Sequence, residues 1–174
     1  MKKLLLFVLV LSLSAFMLVG CDDTTPTVVD TADAEATAPA EDTSSGVQTF
    51  QIGDTVELKD FRVTVNSVRT DMGSDMMEPD AGNEYFYVDV TIENISDSEQ
   101  TVSSVMMFSV RDQQGVTMDQ AIFADTKGSL DGTVLPGKMM TGEYAVEVPE
   151  GTTGLELQFD GAFLSGGSII IDLN

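Results

Sequence analysis

The chain has no histidine, no tryptophan and a single cysteine, Cys21. Ser-His-Asp and Cys-His catalysis therefore cannot be assembled, and the common zinc ligand sets are missing as well. An intramolecular disulfide is equally impossible, so the core alone must hold the fold. Positive charge is scarce: eight lysines and arginines face 29 aspartates and glutamates, for a formal net charge of −21. Such a chain is repelled by nucleic-acid phosphates and by anionic lipid headgroups, so no nucleic-acid partner is expected. Acidity of this kind keeps an exported domain soluble. An enzyme would have to work with carboxylates alone, and those after residue 47 are spread along the chain. Glu143 and Glu147 are expected two pleats apart on a solvent face, where nothing raises a pKa. We expect no enzymatic activity and no cofactor.

The N-terminus supplies what the rest of the chain lacks, a long apolar run. "MKKLLLFVLVLSLSAFMLVG" places Lys2 and Lys3 before an apolar stretch from Leu4 to about Val19. This core is shorter than the roughly 20 apolar residues a membrane span needs, and no basic flank follows it. A plain secretory signal would prefer a small residue where Leu18 stands. The run Leu18-Val19-Gly20-Cys21 resembles the bacterial lipobox. That resemblance implies cleavage before Cys21 and a diacylglyceryl thioether on its sulfur, with residues 1–20 as signal peptide. The expected location is the extracytoplasmic face of the cell membrane, with the lipid on Cys21 as the membrane contact. Removing residues 1–20 makes the chain two charges more negative. A covalent lipid is then what retains it, since each buried methylene contributes about 0.8 kcal/mol.

After Cys21 the sequence "DDTTPTVVDTADAEATAPAEDTSSG" is acidic, without a cation, and has almost nothing to bury. Residues 21–46 therefore read as the lipidated cysteine and a disordered acidic tether, averaging roughly 25–30 Å end to end. Residues 47–174 are of ordinary single-domain size. Here the pattern changes to short strands. In "EYFYVDVTIEN", Phe86, Val88, Val90 and Ile92 fall on one face, while Tyr85, Tyr87, Asp89, Thr91 and Glu93 fall on the other. Strict period-two alternation predicts a strand buried on one side. "GEYAVEVPEG" puts Tyr144, Val146 and Val148 inward against Glu143, Ala145 and Glu147. "GLELQFDG" does the same with Leu155, Leu157 and Phe159. Less regular strands carry Val56 and Leu58; Phe61, Val63 and Val65; Met106, Phe108 and Val110; and Ile169, Ile171 and Leu173. Turns at Gly53-Asp54, Asn94, Gly115, Asp131-Gly132, Pro136-Gly137, Glu150-Gly151 and Asp160-Gly161 separate them. Seven to nine such strands predict an all-β fold, an antiparallel β-sandwich.

The order "IGDTVELKDFRVTVNSV", "YFYVDVTIEN", "FSVRDQQG" and "LPGKMMTGEYAVEVPEG" resembles a family of bacterial lipoproteins. Its members carry a telokin-like, immunoglobulin-like extracytoplasmic domain of unknown function, akin to a secreted mycobacterial antigen. The resemblance spans about residues 50–174 and implies an immunoglobulin-like β-sandwich of seven to nine strands, with no catalytic residue to transfer. The chain departs from the pattern in an acidic, methionine-rich insert near residues 71–80.

Two candidate sites follow. Tyr85 and Tyr87 point away from the expected core, and exposed aromatics on a strand mark a contact surface unless a further layer or loop covers them. The leading expectation is accordingly a non-catalytic binding module for an envelope or extracellular protein. The insert gathers Asp71, Asp75, Glu78 and Asp80 with Met72, Met76 and Met77. Hard oxygens suit weak extracellular calcium binding and thioethers suit Cu(I), so a metal binder using loop 71–80 is the alternative. The spacing is not that of an EF-hand, and a solvated acidic loop is the preferred account, because unpaired carboxylates stay in water, so no metal-ligating residue is assigned. For the other methionines we expect Met106 and one of Met139 or Met140 to fill the core.

Overall fold

Alternation along the longest apolar-polar run builds the centre of the fold. In the computed structural model, which describes residues 27–28, 48–74, 76–161 and 167–174, this run is strand β5 (Asn83–Asn94). It lies between β4 (Phe61–Asp71) and β9 (Met139–Pro149), antiparallel to both. β3 (Thr55–Leu58) pairs with β4, and β1 (Thr27–Val28) completes this five-stranded sheet at its edge. The opposing four-stranded sheet runs in the order β2 (Thr49–Gln51), β11 (Ser168–Asp172), β10 (Glu156–Asp160), β7 (Phe108–Arg111). β6 (Gln100–Val102) and β8 (Gly132–Val134) form a separate two-stranded ribbon. The architecture is the expected β-sandwich, with one departure from antiparallel pairing: β2 runs parallel to β11.

The inward residues are those that alternation selects. Val63, Val90 and Val146 from one sheet and Leu157, Ile169 and Ile171 from the other are fully buried in one shared core. Aromatic rings cross the space between the sheets. Phe61 meets Phe159 edge-on at 5.8 Å, Phe159 meets Phe108 at 5.1 Å, and Phe108 stacks on Tyr144 at 5.6 Å. The buried Tyr144 hydroxyl donates to the Phe108 carbonyl, and burial pushes its pKa up to about 12. Asn94, fully buried, ends β5 as expected. Its Nδ2 donates to the carbonyls of Ser98 and Val134, and its Oδ1 accepts from the Ser96 N–H and hydroxyl. Among the described residues, no buried side-chain nitrogen or oxygen lacks a partner.

Two details differ from expectation. Met106 is exposed and Met107 is buried instead, because Ser104–Met107 forms a single helical turn (α1) that shifts the phase before β7. The expectation that one of Met139 and Met140 packs against the core holds: Met140 is partly buried there, and Met139 is exposed. Thr27 and Val28 of the acidic tether pair with Glu57 and Val56 at the open edge of β3. The remaining tether, the signal peptide and Cys21 lie outside the described residues.

Candidate interaction face

The outer face of the larger sheet carries a charged pair where only solvated side chains were expected. Arg69 on β4 stands opposite Tyr87 on β5, and Glu143 on β9 stands opposite Asp89, two residues further along β5. The Arg69 guanidinium lies 3.6 Å from the centre of the Tyr87 ring. Its Nε and Nη2 donate to the two Glu143 carboxylate oxygens at 2.9 and 2.8 Å, and Nη1 stands 3.6 Å from Asp71. Glu143 also accepts from the Lys127 N–H at 2.8 Å, while its own N–H donates to the Lys127 carbonyl. Glu143 is therefore buried rather than solvated. The hydrogen bonds from Arg69 hold its carboxyl below the usual carboxylate range against the opposing effect of burial. A carboxylate saturated in this way is a structural anchor, and its depressed pKa is the reverse of what a general acid requires.

What it anchors is a strap, residues 119–131, laid across the sheet between β7 and β8. The Ala121 N–H donates to the Ala145 carbonyl, the Glu147 N–H to the Asp119 carbonyl, and Arg69 Nη2 to the Asp125 carbonyl. Ala121 and Ala124 pack on Tyr85, Tyr87 and Ala145 as a second apolar cluster. Tyr85 and Tyr87, 6.2 Å apart edge to face, are consequently only 6% and 2% exposed. Their assignment to the outer face is correct, but as an exposed contact surface they are corrected: the strap covers them. Burial raises the pKa of both phenols, with Arg69 working against it at Tyr87.

The strap comes closest to the sheet at a glycine pair. Gly128 pairs with Gly142, and a Cβ on Gly142 would sit 2.7 Å from the Ser129 backbone. A glycine inside a strand marks such a close approach. Gly142→Ala is expected to lift the strap and cost about 1–3 kcal/mol. Hydrogen exchange should show lost protection at the Glu143 amide, whereas Val90 in the neighbouring strand keeps its protection.

Exposed apolar side chains collect around the strap. Phe123 is 70% exposed and Met77 43%; together with Arg69, Asp71, Tyr87 and Lys127 they line an open groove of about 590 Å³. On the other side of the strap, Val105 and Ile122 border a smaller depression of about 230 Å³. Its polar wall includes Asp131, whose two oxygens accept from the Ser104 N–H and hydroxyl. In loop 71–80, Asp71 accepts from the Gly73 N–H and faces Arg69, and the Asp80 N–H donates to Glu147. Among the described residues no three carboxylates gather as a metal site would require; Asp75 lies outside them.

Comparison with known proteins supports the same architecture. A search of curated proteins finds no match to the chain. Among solved structures, the yjhA protein of Bacillus subtilis superposes with a TM-score of 0.57 at 19% identity, covering 72% of this chain and 99% of its own. The secreted protein MPT63 of Mycobacterium tuberculosis gives 0.56 at 17% identity, covering 74% and 99%. A candidate lipoprotein of Bacillus subtilis, ycdA, gives 0.53 at 16% identity over 65% of this chain, which spans 36% of that protein. At these identities the likeness is one of fold. The profile of a protein family described as "Domain of unknown function (DUF4352)" matches residues 50–169, from β2 into β11. A sandwich of these strands in this order, matched over most of its length, belongs to the DUF4352 family.

Proposed function

We propose that the chain is an extracytoplasmic lipoprotein, anchored through Cys21, that displays its β-sandwich as a non-catalytic interaction module. The strap and the adjacent hairpin tip provide its contact face. One observation carries this reading: Phe123 on the strap and Met77 on the neighbouring loop border an open groove, and the strap is tied to the sheet through Glu143 and its half-buried pair with Arg69. Large apolar side chains held exposed on a rigid support are characteristic of binding surfaces. The lipobox supports the location, as does a fold shared with one secreted protein and one candidate lipoprotein.

Two measurements test the proposal. Cys21→Ala is expected to abolish incorporation of labelled palmitate and move the protein from the membrane to the soluble fraction; a titratable thiol in the mature wild-type protein would refute the anchor. A photo-crosslinking residue at position 123 should give a saturable adduct in intact cells. The same residue at 135, exposed at the opposite end of β5, should give none. Equal adducts at both positions would refute the contact face.

A further inference from the structure

Resting on that contact face, we infer the class of partner: the groove between Met77 and Phe123 takes a basic, amphipathic polypeptide segment. Its apolar side chains would enter the groove, and its lysines or arginines would meet the surrounding carboxylates.

The charge pattern points this way. The 71–80 loop beside the groove carries four acidic residues, Asp71, Asp75, Glu78 and Asp80, and no lysine or arginine. Of the two cations lining the groove, Arg69 is neutralised by its paired bonds to Glu143, leaving Lys127 against Asp71 and Asp125. The apolar component is adaptable. Met77 in the groove wall is 43% exposed, its loop neighbours Met72 and Met76 are 56% and 88% exposed, and unbranched thioethers reshape around varied partners. A groove of about 590 Å³ is within the range that receives side chains or small ligands.

Other occupants are disfavoured by the same charges. A second copy of this chain, at −21, is repelled; so is the chain's own acidic tether, which has no cation after Cys21; so is an anionic bilayer. Strand addition beside the groove is blocked as well, because the strap already bonds to the edge of β9 at Ala145 and Glu147. Docking must therefore proceed through side chains, as when an amphipathic helix lies in an apolar groove.

The test uses the mature lipidated chain in nanodiscs of zwitterionic lipid, with methionine methyl groups labelled for NMR. Three short helical peptides share one pattern of leucine and phenylalanine and carry lysine, glutamine or glutamate at every polar position. The lysine peptide is expected to shift the Met76 and Met77 signals, and to weaken several-fold as salt rises past physiological strength. Phe123→Ser should reduce its affinity about tenfold or more, and Leu135→Ser should leave it unchanged. Indifference to Phe123→Ser would reduce the interaction to bulk charge and overturn the inference. Equal or stronger binding of the glutamine or glutamate peptide would overturn the partner class while leaving the contact face standing. If no peptide shifts Met77, both fall. The same shifts produced by anionic vesicles alone would assign the groove to a membrane instead.

Discussion

Arg69→Ala is expected to cost about 3 kcal/mol, the low end for breaking a buried ion pair because Arg69 itself is about one-third exposed. The partner left behind decides the size. The Glu143 side chain is 5% exposed and would keep only the Lys127 N–H, so a nearly unpaired carboxylate would remain under the strap. The midpoint of thermal unfolding should fall by about 10 °C. Arg69→Lys should recover part of the loss, since one ammonium cannot bond both carboxylate oxygens while stacking on Tyr87. The dependence on pH has a definite sign. Arg69 depresses the folded pKa of Glu143, so the pair contributes fully above the ordinary carboxylate range, and its contribution fades as pH falls through the depressed value. In Arg69→Ala, burial is opposed only by Lys127, and the carboxyl protonates more readily. The difference between variant and wild type should therefore be largest near neutral pH and shrink below about pH 4. Urea melts at the two pH values, with Glu143→Gln closing a double-mutant cycle, measure it directly. A loss below about 0.5 kcal/mol at neutral pH would mean that backbone bonds alone hold the strap.

The strands were legible because alternation reports burial on the face that packs against the other sheet. Phe86, Val88, Val90 and Ile92 occupy the core that their spacing indicates. Alternation also put Tyr85, Tyr87 and Glu143 on the outer face, but it cannot say whether a later segment returns to cover that face. Here one does, and the evidence is dispersed. The strap contributes small side chains, Ala121 and Ala124, and is held mainly by backbone bonds and by a pair 74 residues apart in sequence. One local signal was available: Gly142 interrupts an otherwise apolar-polar strand where a side chain would collide with Ser129. The exchange of Met106 for Met107 has a different cause. A single helical turn reverses the period-two phase, and four residues are too few to show helical periodicity. The exposed Phe123 belongs to the strap, so locating the contact face depended on first locating the strap.

Phe159→Ala should have the largest effect on the fold, about 3–5 kcal/mol, because it removes the ring that joins the sheets. Phe159 projects from β10, is fully buried, and has its ring centre 5.8 Å from that of Phe61 on the opposite sheet and 5.1 Å from that of Phe108 on its own. Phe108 in turn stacks on Tyr144, which belongs to the first sheet again. In immunoglobulin domains with a disulfide, a covalent bridge and a neighbouring tryptophan hold the two sheets together. This chain has no tryptophan, and its single cysteine cannot form an internal bridge. The four rings connect the sheets without covalent help, and losing the central one leaves a cavity shared by both. Midpoints should fall by about 10–20 °C for alanine. Leucine at the same position should cost about half as much, since it refills part of the volume but loses the edge-on ring contacts. The same change at exposed Phe123 should leave the midpoint nearly unmoved while weakening binding, which separates the residue that holds the sandwich from the one that presents its contact face. A loss below about 1 kcal/mol for Phe159→Ala would show that aliphatic packing suffices to hold the sheets.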